Sequence, residues 1–164
     1  MPSNEQSSSA ERALLRHTLA TVAYRGGKVL RDAPESFANF SSGDRGRPPA
    51  QILAHMGDLY DWALSIVAGK QAWHDSQPLP WEKEVERFFA SLKKFDEYLA
   101  SDAELHEGPA GLFQGPIADS LTHIGQIAML RRMAGCQIKG ENYHKAEIIA
   151  GRVGMEQATP RREF

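Results

Sequence analysis

Apolar residues recur every three to four positions over four stretches of the chain, and this period predicts four helices. The first runs from about Ala10 to Arg31, with Leu14, Leu15, Leu19, Val22, Ala23 and Val29 at helical spacing. Ser8 or Ser9 would cap it, Glu11 would occupy its first turn, and Gly26-Gly27 weaken its last turns and favour an end there. The second begins at Pro49, follows Ile52, Leu53, Met56, Leu59, Tyr60, Ala63, Leu64 and Val67, and closes at Gly69. The third covers Trp81 to Ser101, with Glu82, Lys83, Glu84, Glu86, Lys93 and Lys94 as its wet face. The fourth opens at Pro116 and stops at Gly135; Ile117, Leu121, Ile124, Ile127, Ala128 and Leu130 surround much of its circumference, which predicts a central helix.

The connections are legible as well. Ala33 to Pro49, rich in Pro, Gly, Ser and Asn, reads as a long loop with one short helical turn, docked through Phe37 and Phe40. Lys70 to Pro80 is a polar crossing segment bracketed by Trp73 and Trp81, and Glu104 to Gly115 is a glycine-rich loop. Tyr143 to Arg152 is expected to add a short last helix before a polar tail. No long alternating run argues for a strand. The expected fold is therefore all-α, a four-helix bundle in one domain over residues 1–164, with its core at about 10–135 and a C-terminal extension at 136–164.

Composition narrows the function. Hydrophobic residues at 41% and charged residues at 24% suit a globular domain, not a disordered chain. A formal net charge of -2 gives no electrostatic reason to expect a nucleic-acid partner. No run of eighteen apolar residues predicts a membrane span, and the polar opening Met1–Ala10 lacks the pattern of a signal peptide. The single cysteine, Cys136, forms no internal disulfide; cytoplasmic localisation is the default expectation.

Candidate chemistry concentrates on the fourth helix. Asp119 and His123 are four apart and project from one face, one turn above the other, and Gln126 continues that side. A carboxylate and an imidazole in a mostly apolar helix require compensation, either from a metal ion or from a plain Asp–His hydrogen bond. His55 lies beside the apolar stripe of the second helix. If the two helices meet at the right height, His55, Asp119 and His123 converge into a ligand set known for zinc, iron and nickel, with a coordination position left for water or substrate. The alternative is a half-exposed His55 beside Asp58. His106, in the glycine-rich loop, is placed to reach the mouth of a bundle cavity; His17, His74 and His144 read as exposed.

The segments Ala118-Asp-Ser-Leu-Thr-His-Ile-Gly-Gln126 and His55-Met-Gly-Asp-Leu-Tyr-Asp-Trp62 resemble the histidine motifs of the DinB/YfiT-like superfamily. The likeness covers about Ala10 to Gly135. It implies an up-down-down-up four-helix bundle, with Lys70–Pro80 joining two helices that run the same way. It further implies a divalent metal (Zn, Ni, Fe or Mn) on His55, Asp119 and His123, and a homodimer. Some members of that superfamily transfer or isomerise with low-molecular-weight thiols, so a small-molecule or thiol substrate is expected, activated for hydrolysis or transfer. Gln126 and His106 would be supporting or pocket groups. The chain departs from the pattern at Asp119, where the superfamily has histidine. The competing expectation is a non-catalytic small-molecule-binding or structural homodimer whose metal site has decayed.

Overall fold

The computed structural model describes residues 4–164; Met1–Ser3, part of the polar opening, lie outside them. The architecture is all-α: α1 (Asn4–Leu30), α2 (Pro49–Val67), α3 (Trp81–Ala100), a short α4 (Pro109–Leu112) and α5 (Ala118–Met133), with 3-10 turns at Glu35–Asn39 and Tyr143–Lys145. Among the described residues there is no strand, only one isolated antiparallel bridge between Glu141 and Glu163. No helix there is long and apolar enough to cross a membrane.

One apolar cluster runs through the molecule from Leu15 to Val153 and includes Phe37, Tyr60, Phe88, Phe95 and Ile127. α2 and α3 share the largest interface; α1 packs on α3 and α5, and α5 on α2. Arg16 pairs with Asp96 at 3.0 Å, and Gly26 lies against Phe88. Tyr60 meets Phe88 and Phe95, and Tyr98 reaches the Val67 carbonyl.

α2 and α3 match their predicted spans to within a residue. Pro49 needs no hydrogen-bond partner for its nitrogen at the first helical position. Gly69, at φ +71°, takes the left-handed conformation that ends α2, and a Cβ there would lie 3.0 Å from the His106 ring. Phe37 docks the 33–49 connection as expected, its ring edge-on to buried Trp81 at 5.6 Å.

Elsewhere the structure corrects the sequence. α1 begins at Asn4, so Ser8 and Ser9 sit inside the helix and do not cap it, and Glu11 is well past its first turn. Gly26 and Gly27 do not end it. Gly26 is where α3 comes close, since a Cβ would stand 3.2 Å from Phe88 Cε1. The fourth predicted helix starts earlier than Pro116: α4 runs through a π-helical turn, Phe113–Ile117, into α5. Pro116 explains that turn. Proline has no N–H to donate and clashes with the carbonyl four residues back, here Leu112, and a wider turn relieves both. Nor is α5 central. Ile124, Ile127 and Leu130 are buried, but Thr122, Gly125, Gln126, Met129, Arg132 and Met133 form an exposed strip. The expected helix over Tyr143–Arg152 is a single 3-10 turn.

Several charged side chains are buried, each with partners far away in sequence. Glu84, assigned to the wet face of α3, is fully buried and accepts from the Leu79 amide and from Arg87. Arg87 also donates to Asp58 at 2.9 Å and to the Ala54 carbonyl, and Asp58 accepts from Ser76. This network fastens the crossing segment to α2 and α3. Arg131, in the last turn of α5, donates to the Val29 and Arg31 carbonyls at the end of α1 and to Cys136 O just past its own helix.

The C-terminal extension returns to α1. Lys28 donates to Glu141 at 2.6 Å and to Glu163 at 2.9 Å, Tyr24 donates to Glu141 at 2.6 Å, and the Phe164 amide reaches the Gly140 carbonyl. The hydrogen bond from Lys28 holds the Glu163 carboxyl below its ordinary 4.5. Burial opposes the charge on Lys28, yet Glu141 and Glu163 outweigh it and raise the ammonium above 10.5. A depressed carboxyl stabilises above its unfolded pKa and loses that contribution as pH falls through the folded one; a raised amine does the reverse. The clasp should thus hold between the ordinary carboxyl and amine values and loosen in acid as the pH falls through the lowered Glu163 value. Hydrogen exchange of the Asn142 and Phe164 amides, accelerating in acid before the helices do, would show it; exchange in step with the helices would contradict it.

Candidate metal centre

Two helices build the site. α2 presents His55 one turn before the buried Asp58–Arg87 network, which fixes that part of α2 against α3. α5 presents Asp119 and His123, four residues apart and therefore on one face about 6 Å apart in height. His55 Nε2 lies 3.3 Å from Asp119 Oδ2, and His123 Nε2 lies 3.5 Å from Asp119 Oδ1. The two imidazole rings stand nearly perpendicular with centroids 4.9 Å apart. One ligand atom from each residue falls within 4.8 Å of the others. Donor atoms about 2.1 Å from a shared tetrahedral ion are about 3.4 Å apart, so the closer gaps already match. The sequence expectation that these three residues converge is met by the geometry.

The hydrogen bonds around the triad sharpen its chemistry. His123 Nδ1 lies 2.7 Å from Gln126 Oε1. A carbonyl oxygen only accepts, so Nδ1 donates to it and Nε2 is the nitrogen left facing Asp119 Oδ1. A proton on Nε2 or a shared cation is what can bridge that nitrogen and the carboxylate oxygen. His123 is buried, His55 is half-buried and the Asp119 side chain is 45% exposed, so the triad opens to solvent through the carboxylate. Trp73 of the crossing segment stands edge-on to His55 at 5.5 Å and to Trp62 at 5.9 Å. It is half exposed and packs the crossing segment onto α2 beside the site, while buried Trp81 holds the segment's other end.

The other expectations divide. Gln126 is in place as the partner that sets the His123 tautomer. His106 is not at the cavity mouth: its amide bonds the Val67 carbonyl and its ring faces Gly69, at the opposite end of α2 from His55 and about 18 Å along the helix. His17 and His144 are exposed as expected. Unforeseen is a second group, Asp58, Asp61 and His74, whose ligand atoms also fall within 4.8 Å. Asp58 is already saturated by Arg87 and Ser76, and the guanidinium supplies the positive charge, so this group is an ion-pair network that ties down His74. Its signal in the sequence was the Asp58/Asp61 pair three apart beside an apolar stripe.

No protein-family model, no curated protein and no solved structure matches the chain.

Proposed function

We propose that the chain is a divalent-metal-dependent enzyme of the DinB/YfiT-like type, an up-down-down-up bundle that activates a water or a low-molecular-weight thiol for hydrolysis or transfer. The bundle topology is supported by the order of contacts: Arg16 meets Asp96 and Gly26 meets Phe88, while Ala54 meets Arg87 and Val67 meets Tyr98. The observation that carries the metal reading is that His123 Nε2 and an Asp119 carboxylate oxygen face each other with His55 beside them, one ligand atom of each within 4.8 Å of the others. A proton bridges two of these groups; an ion satisfies all three.

His55, Asp119 and His123 would hold the ion, and Gln126 keeps the His123 ring oriented with its lone pair inward. A bound divalent ion would supply Lewis acidity, tempered by the negative charge of Asp119. His55 Nε2 donates to Asp119 in the present arrangement; to offer that nitrogen to an ion, the neutral ring would carry its proton on Nδ1 instead. The open side of Asp119 leaves room for a substrate. A homodimer belongs to the same reading.

Protein purified without added metal is expected to carry about one first-row ion per chain by elemental analysis, and a His123→Ala preparation none. Light scattering on the same samples should report a dimer. Wild-type protein that neither retains nor takes up a stoichiometric ion would favour the non-catalytic binding bundle, in which Asp119 is simply protonated or bridged between two imidazoles.

A further inference from the structure

Beside the triad opens a cleft of about 660 Å³. Its inner wall carries His55, Asp119, His123 and Gln126, and Ile52, Met129 and Leu130 make an apolar side. The outer rim comes from the connection before α2, through Ser42, Gly46 and Arg47. Arg47 is the one cationic side chain other than histidine on this wall. Among the described residues it makes no hydrogen bond and no ion pair. The two other arginines fixed near this end of the bundle are both committed: Arg87 to Glu84 and Asp58, and Arg131 to the α1 carbonyls.

The rim is built so that Arg47 is held there. Gly46 closes a tight turn onto Gly43 at 3.1 Å, and a side chain at position 46 would run into Ser42. Pro48 and Pro49 follow directly; Pro48 is extended at φ -60° and ψ 152°, and α2 starts at Pro49. A residue before proline is itself restricted to extended backbone, so Arg47 stands on a short stiff stem. On its other side lies a hollow with Asp58 and Asp75, but Arg47 pairs with neither, and Asp58 is saturated.

We propose that this cleft binds a small organic carboxylate: Arg47 takes the carboxylate, Ile52, Met129 and Leu130 take an apolar body, and the reacting group faces the triad. The inference rests on the metal-centre reading for what stands at the inner end. A planar guanidinium pairs with a carboxylate through two parallel hydrogen bonds. A single cation with no second one on the wall matches one negative charge better than a phosphate dianion. The apolar side adds affinity for a short branched hydrocarbon and not for a highly polar molecule.

The test uses cobalt-loaded full-length protein, with cobalt content measured on every sample, and 4-methylpentanoate against 4-methylpentanamide in titration calorimetry. Wild type should bind the carboxylate about tenfold or more tightly than the amide. Arg47→Gln should lose that preference while loading cobalt and keeping its helical circular dichroism unchanged, and Arg47→Lys should recover part of it. Inorganic phosphate should bind more weakly than the carboxylate. If the carboxylate binds equally well to loaded Arg47→Gln, it sits on the metal or elsewhere, and the assignment of Arg47 is overturned with the metal reading intact. If wild type does not load cobalt, the metal reading fails and the substrate assignment falls with it.

Discussion

Replacing His55 by alanine is expected to weaken metal binding as severely as replacing His123, each by more than about 100-fold. Loss of an outer partner of a ligand costs about 10–100-fold, and loss of one of only three ligands costs more. The equality is the informative part. His123 is buried and hydrogen-bonded, whereas His55 is half-buried on another helix, so a surface histidine at position 55 would tolerate alanine freely. Asp119→His should retain binding, because the imidazole supplies a ligand with longer reach. Asp119→Ala should lower affinity strongly. Gln126→Ala should fall within the range for outer partners, since it frees the His123 ring without removing a ligand. Affinity should decline in acid, where the ligands take up protons. Competition titration with a chromophoric chelator reads all of these, and a His55→Ala variant that binds like wild type would sink the centre.

The second large effect concerns stability. Lys28→Met is expected to destabilise the protein by about 3–5 kcal/mol, because it strands the buried Glu141 carboxylate with only the Tyr24 hydroxyl. In a chain of this size that corresponds to a melting point lower by roughly 10 °C. The Lys28→Met, Glu141→Met double variant should recover much of the loss, since a buried ion pair replaced by apolar groups of similar volume is often close to neutral. Urea denaturation of the four proteins closes the cycle. A loss below about 1 kcal/mol in the single variant would mean that Glu141 reaches water in solution.

The helices that were easiest to read carry their own boundaries. α2 has Pro49 before it and Gly69 after it, and α3 has Pro80-Trp81 at its start, so local chemistry sufficed. The misread parts depend on contacts across the fold. Glu84, Lys28, Glu141 and Arg131 look like solvent residues along the chain, and the partners that bury Lys28 lie 113 and 135 positions away. The apolar positions read around α5 suggested a central helix, yet Leu121 and Ala128 are only partly buried and Met129 and Met133 are about half exposed. The site shows the same division. Asp119 and His123 declare a shared face through their spacing, and Gln126 lies on it. Whether His55 arrives at the same height is set by the packing of α2 on α5 over 64 residues of separation. Arg47 gave no signal at all, because its position on the rim follows from a turn and two prolines and not from any periodic pattern.

The π turn at Phe113–Ile117 bears on how such a site can be gained or lost. It accommodates one residue more than an α-helical path between Leu112 and Ala118 would hold. Each residue advances an α-helix by 100°. The wider turn takes up that extra residue, so α5 keeps the angular register an α-helical path would give it, and Asp119 and His123 still face His55. A change of one residue in chain length is thus tolerated at this segment, whereas the same insertion between Asp119 and His123 would turn one ligand away from the other by about 100°.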